Sequence, residues 1–139
     1  MQPTVFIVDD EPMDQALLRQ GFQRVGSDAS IEVIPDPSVA IGMLDERTAP
    51  SLLIVDLRLG VESGIDVVRW VRDHPTLNVL PVLIISGSQD PADVQAAYKA
   101  GANAFIPKPS DLESLERLCR EIDEFWLGSV RLPTPDDDA

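Results

Sequence analysis

The sequence predicts an α/β domain in which helices cover both faces of a parallel sheet. Two observations carry that expectation. Short apolar runs stop abruptly at a polar residue: Val5-Phe6-Ile7-Val8 at Asp9-Asp10, Leu52-Leu53-Ile54-Val55 at Asp56, Val82-Leu83-Ile84-Ile85 at Ser86, and Ala104-Phe105-Ile106 near Lys108. Such runs read as buried parallel strands that surface at a sheet's carboxyl edge. Amphipathic stretches separate them, with no internal repeat and no low-complexity linker, as in a chain of βα units.

The elements follow in order. Strands are expected near residues 4–9, 31–35, 52–56, 81–86 and 103–107. Helices are expected near 12–25, 38–47, 63–74 and 91–100, with a last helix from 111. Asp10 before Glu11-Pro12 suits a helix start. Asp90-Pro91 supplies an N-cap and a first-turn proline, with Asp93 in the favourable first turn. Gly101 stands where a left-handed C-terminal residue is expected. Ser110 and Glu113 have the spacing of a capping box for the final helix. A flavodoxin-like strand order of 2-1-3-4-5 makes strands 1, 3, 4 and 5 consecutive. Those are the strands whose ends carry polar residues, so this order is expected.

A chain of 139 residues is one domain, long enough to bury a core without disulfides. Cys119 is the only cysteine, which suits a reducing cytoplasm. The first apolar run is short and follows no basic segment, so neither a signal peptide nor a membrane span is expected. The net charge of −13 would repel a phosphate backbone and argues against nucleic-acid binding. Part of that charge is a tail, Asp136-Asp137-Asp138; most of it serves solubility.

The strand ends bring Asp9, Asp10, Asp56, Ser86 and Lys108 to one edge. Three carboxylates there repel, so their pKa values should rise unless a cation lies among them. A hard divalent ion such as Mg²⁺ takes oxygen ligands of this kind. For the acidic pair alone, helix capping explains the residues equally well; the other strand ends favour metal. Asp56 is the expected nucleophile, forming an aspartyl phosphate. Lys108 supplies a point charge for phosphoryl oxygens, and Ser86 a hydrogen bond. Lys108 lies between Pro107 and Pro109, which makes Lys108–Pro109 a candidate cis peptide.

Over roughly residues 4–123 this set resembles a response-regulator receiver domain, the phosphoacceptor module of two-component signalling. The matching positions are Asp9-Asp10, the acceptor Asp56, Gly64 eight residues later, Ser86 as hydroxyl switch, Phe105 as aromatic switch, and Lys108-Pro109. The resemblance implies phosphoryl transfer from a histidine kinase. It also implies Mg²⁺ contacts through Asp10, Asp56 and the backbone carbonyl of Arg58, with Asp9 acting through water. Arg58 and Ser88, each two residues past a matched position, should flank the path of attacking water. Receivers often carry proline four residues after the acceptor; here Gly60 leaves that loop freer.

Residues 1–124 are thus expected to form the receiver and 125–139 a C-terminal extension. No residues for an output domain follow 123, so signalling through protein partners is expected, without enzymatic turnover. Leu112, Leu115, Cys119, Ile122 and Trp126 form a helical stripe. Cys119 on that stripe should be structural, and His74 beside Pro75 exposed. Phe125, Trp126, Leu127, Val130 and Leu132 run past the usual helix end and suggest a homodimer arm redirected at Gly128. Folding back onto the same domain is the alternative. The ending resembles receivers that partner phytochrome-type photoreceptor kinases, so a bacteriophytochrome is an expected partner. Competing functions are a phosphate sink and a haloacid-dehalogenase-like phosphatase. The latter resembles Asp-x-Asp at the nucleophile, where this chain has Arg58 two residues after Asp56.

Overall fold

The computed structural model describes residues 2–46, 49–60 and 62–133. The elements are β1 (Thr4–Val8), α1 (Pro12–Arg24), β2 (Ser30–Ile34), α2 (Pro37–Glu46), β3 (Leu52–Asp56), β4 (Arg58–Leu59), β5 (Glu62–Ser63), α3 (Gly64–Asp73), β6 (Val82–Ser86), α4 (Pro91–Ala100), β7 (Ala104–Pro107) and α5 (Leu112–Glu121). A π-helical segment, Ile122–Ser129, continues α5. The main sheet is parallel, in the order β2-β1-β3-β6-β7. This is the expected 2-1-3-4-5 order, because β4 and β5 form a separate antiparallel hairpin. That hairpin was not expected: its strands are two residues long, too short for an alternation pattern.

Alternation along each strand builds two cores. Phe6, Val8, Leu53, Val55, Val82 and Ile84 face α2, α3 and α4. Val5, Ile7, Leu52, Ile54, Leu83 and Ile85 face α1 and α5. Helices α1 and α5 meet closely at Gly21, where an added Cβ would lie 2.6 Å from Cys119 Sγ. Cys119 is buried, and burial pushes its thiol up to about 12, so it is a packing residue. Among the described residues no helix is long and apolar enough to cross a membrane.

The caps at Asp90 and Gly101 match the sequence reading: Asp90 accepts from Ala92 N, and Gly101 has φ +114°. Glu11 caps α1 by accepting from Met13 N, so helix capping, the alternative weighed for Asp10, does not account for that residue. The cap of α5 differs from the sequence reading. Asp111 caps α5 by accepting from Ser114 N at 2.7 Å, so the Ser110–Glu113 box does not form. An aspartate adjacent to a serine gives two equally spaced cap candidates, and the carboxylate accepts the stronger bond.

His74 is half-buried, against expectation. It packs on Trp70 with ring centroids 5.2 Å apart, and Nε2 lies 3.1 Å from Asp45 Oδ1. Arg72 ties two loops together by donating to the carbonyls of Gly101, Asn78 and Leu80 and to Asn103 Oδ1. Leu112 is exposed while Leu115, Cys119 and Ile122 are buried, so the apolar stripe begins one turn later than its spacing implied. No cis peptide occurs among the described residues, and Lys108–Pro109 is trans.

The C-terminal segment does not turn at Gly128. The helix runs on through Ser129, closed by Val130 N donating to Phe125 O at 2.9 Å, and the chain becomes extended at Val130. Trp126 and Leu127 pack against the α1–α5 core, whereas Phe125 is 53% exposed. Val130 and Leu132 are half-buried, and Pro133 helps line a cleft with Ala49, Pro50 and Pro81 at the amino-terminal edge of the sheet. The acidic residues Asp136-Asp137-Asp138 lie outside the described residues.

Candidate functional site

Three strands deliver polar residues to the carboxyl edge in nearly dry surroundings: Asp9 after β1, Asp56 ending β3 and Ser86 ending β6, which are 2%, 7% and 1% exposed. The edge strand β7 adds Lys108. Its backbone N–H donates to Ser86 O at 2.8 Å, which carries the parallel ladder one step past the strand and aims the side chain across the sheet edge. Lys108 Nζ lies 2.9 Å from Asp56 Oδ2, 2.5 Å from Asp14 Oδ2 and 4.0 Å from Asp9 Oδ2.

Each carboxylate is further held by backbone. Asp56 Oδ1 accepts from Arg58 N at 3.3 Å, and Asp9 Oδ1 from Glu11 N at 3.0 Å. Burial raises Asp9 to about 6, with Asp56 and Asp14 adding repulsion that the Glu11 N–H and Lys108 only partly offset. Burial would lower the Lys108 ammonium, but hydrogen bonds to Asp14 and Asp56 outweigh it and hold the group above the ordinary lysine value.

Oxygens of Asp9, Asp14 and Asp56 lie within 4.8 Å of one another. An all-carboxylate set fits a hard divalent cation. Asp10, expected among the ligands, is exposed and outside this trio; its Oδ2 faces the hairpin turn, 3.6 Å from where a Gly60 Cβ would stand. Gly60 has φ +67°, a value proline cannot adopt, so proline at this position would break the turn. Asp14 was missed by the sequence reading. It belongs to the first turn of α1, which starts three residues after Asp9 and so folds back over the strand end; a helix-spacing check from the acidic pair would have found it.

Ser86 Oγ accepts from Ser88 N at 2.9 Å. Ser88 Oγ in turn donates to Asp93 Oδ2 at 2.6 Å, and Arg58 Nη2 lies 3.5 Å from the same oxygen. Arg58 and Ser88 therefore meet on the first turn of α4, at the mouth of the site. Phe105 is half-buried against the α2–α3–α4 core, and its N–H donates to Tyr98 Oη at 3.1 Å. The strand ends thus unite Asp56, Asp9, Ser86 and Lys108, while Phe105 lies on the same edge strand as the lysine.

Residues 5–120 match the family described as the response regulator receiver domain. The probable methanogenesis regulatory protein FilR2 of Methanothrix harundinacea is 30% identical over 94% of this chain and 88% of its own length. Response regulator Rcp1 of Synechocystis sp. is 26% identical over 93% of this chain and 92% of its own. The structure of Rcp1 in its Mn²⁺-bound form superposes with a TM-score of 0.85, covering 94% of this chain and 99% of that one. The phosphorylated cyanobacterial phytochrome response regulator RcpA gives 0.89 at 26% identity, covering 96% and 99%. From strand order to lysine contact, and over most of its length, the chain belongs to the response regulator receiver domain family.

Proposed function

We propose that this receiver accepts a phosphoryl group on Asp56 from a histidine kinase of the phytochrome type and signals through protein partners. The observation that carries the reading is Lys108 Nζ at 2.9 Å from Asp56 Oδ2, on an edge shared with buried Asp9 and Ser86. The likeness to Rcp1 and RcpA, the latter a phytochrome response regulator by name, supports the kinase class. Asp9 and Asp56, with Asp10 and the Arg58 carbonyl at the hairpin, would hold Mg²⁺, whose charge offsets that of the incoming phosphoryl group. Lys108 neutralises a phosphoryl oxygen. Ser86 exchanges its bond from Ser88 N for one to the phosphoryl group, and Phe105 turns inward as the second half of the switch. The protein needs no turnover for this role; it is a switch whose product is its own altered surface.

Incubation with acetyl phosphate and Mg²⁺ is expected to add one phosphoryl mass to the wild-type chain and none to Asp56→Asn. Equal labelling of the variant would place the acceptor elsewhere.

Arg58 and Ser88, each two residues past a strand-end site residue, share Asp93 and would flank the path of water attacking the phosphoryl group. Arg58→Ala and Ser88→Ala are expected to change the rate of phosphate loss more than the rate of its gain. Decay curves followed by mass spectrometry check this, and decay identical to wild type would remove both residues from the water path.

We also propose a homodimer through the C-terminal arm, residues 125–139. Phe125 is exposed and stacks edge-on against Trp126 with centroids 5.6 Å apart, so it presents a rigid apolar surface. Burying such a ring is worth roughly 1.5–3 kcal/mol, and a twofold interface counts it twice. Sedimentation should show a dimer for the full chain and a monomer for Phe125→Asp. A wild-type monomer at micromolar concentration would mean that the arm serves only its own domain.

A further inference from the structure

The second carboxylate on Lys108 comes from Asp14, which occupies none of the matched motif positions. We propose that Asp14 is a positioning residue: it holds the Lys108 ammonium in place while Asp56 changes from a free carboxylate to a phosphoryl carrier. The inference rests on Asp56 being the acceptor, and it concerns how the lysine is kept ready for that step.

The geometry supplies the argument. Lys108 Nζ lies 2.5 Å from Asp14 Oδ2 and 2.9 Å from Asp56 Oδ2, so two of its three protons are committed to carboxylates from different elements. Both partners of the Asp14 pair are shielded, with side chains 28% and 25% exposed, which makes the pair stronger than one in open solvent. Packing does not fill the space beside the lysine stem. A cavity of about 50 Å³ lies beside it, lined by Leu17, Leu18, Ile85 and Leu115 as well as by Asp14 and Lys108. The stem has room to move there, and the carboxylates supply the restraint.

Phosphoryl transfer removes one of those two partners. A carboxylate oxygen of Asp56 forms a bond to phosphorus; with acetyl phosphate as donor, the bond from phosphorus to the acetyl oxygen breaks and acetate leaves. A lysine anchored by Asp56 alone would lose its only partner and would have to be reordered on the phosphoryl oxygens. Anchored also by Asp14, it exchanges one acceptor for another at a fixed position. Asp14 is thus a partner of the ammonium, whereas Asp9 and Asp56 are left to the cation.

The test compares wild type, Asp14→Asn and Asp9→Asn. Asparagine keeps the size and the N-terminal helix turn at position 14 while removing the charge. In the wild type, the ¹⁵N-edited spectrum of lysine ammonium groups should show one resonance protected from exchange, assigned by its loss in Lys108→Arg. Asp14→Asn should abolish that protection and lower the saturating rate of phosphorylation by acetyl phosphate about tenfold. Its affinity for Mg²⁺, measured by calorimetry, should fall less than that of Asp9→Asn. An equal or larger fall would make Asp14 a metal ligand and overturn the proposal, as would a protected ammonium and unchanged rate in Asp14→Asn. Wild-type protein that takes no phosphoryl group would instead defeat the reading of Asp56, while the spectrum still reports on the anchor.

Discussion

Asp9→Asn is expected to raise the stability of the metal-free protein at pH 7 by about 1–3 kcal/mol and to flatten its dependence on pH between about 4 and 6. Asp9 is 2% exposed, and burial raises its pKa from 3.8 to about 6. Between those values the folded chain binds more protons than the unfolded one, so stability falls as pH rises through the window and is lowest above it. A shift of about two units caps the effect near 3 kcal/mol; the lost attraction to Lys108, 4.0 Å away, reduces it. Asn at this position can still accept from Glu11 N, so the backbone bond survives. Asp36 and Asp111, lowered by bonds within their own helix caps, lose stability only at more acid pH and leave this window clear. Acidification also relieves the general repulsion of a chain with net charge −13. The diagnostic is therefore the difference between wild type and variant, measured by thermal melts in chelator at pH 5 and pH 7. Parallel curves would show that Asp9 carries no burial penalty. If Asp9 helps hold the ion as proposed, Mg²⁺ should stabilise wild type at pH 7 and have little effect on the variant.

What could be read in the sequence, and what could not, follows from the range of the interactions involved. The ends of β1, β3 and β6 were legible because a run such as Leu52–Val55, too short for a helix and rich in branched residues, reads as a buried strand, which puts Asp56 at the sheet edge where the run stops. Lys108 was placed by the same argument just past the end of β7. Asp14 was not, because the apolar runs that mark strand ends carry no signal for an acidic residue inside the following helix; only its spacing from Asp9-Asp10 points back to the site. The cap of α5 turned on a competition between neighbours Ser110 and Asp111 that spacing does not resolve. His74 reads as a surface residue beside proline, but Trp70 and Asp45 come to it from α3 and α2 only once the helices have packed. At the C-terminus, glycine looked like the breaking point; i→i+5 bonding carried the helix through Gly128 because Trp126 and Leu127 gain burial by staying helical. Local signals were sufficient where one element decides the outcome, and insufficient where two must meet.

Gly64 is such a meeting point, and Gly64→Ala is expected to damage both stability and phosphorylation. The residue opens α3, next to Ser63, whose Oγ caps the helix by accepting from Ile65 N. Its own N–H donates to Leu57 O at 2.7 Å, drawing the start of the helix against the end of β3. A Cβ at this position would collide with the backbone carbonyl oxygen of Asp56 and come 2.9 Å from Val55 Cγ1. The requirement is steric: Gly64 is not among the glycines with positive φ, so alanine suits the backbone angles and fails only on contact. Backbone cannot rotate away as a flexible side chain would, so either α3 lifts or the Asp56 peptide shifts. Overpacking of this kind costs about 1–3 kcal/mol. Any shift of that peptide also moves Asp56 Oδ2 relative to Lys108, and the site depends on a 2.9 Å contact there. Denaturant unfolding should show the lost stability, and the phosphorylation rate with acetyl phosphate should fall even at temperatures where the variant is fully folded. Wild-type rate in a folded Gly64→Ala protein would show that the helix had yielded while the acceptor stayed in place.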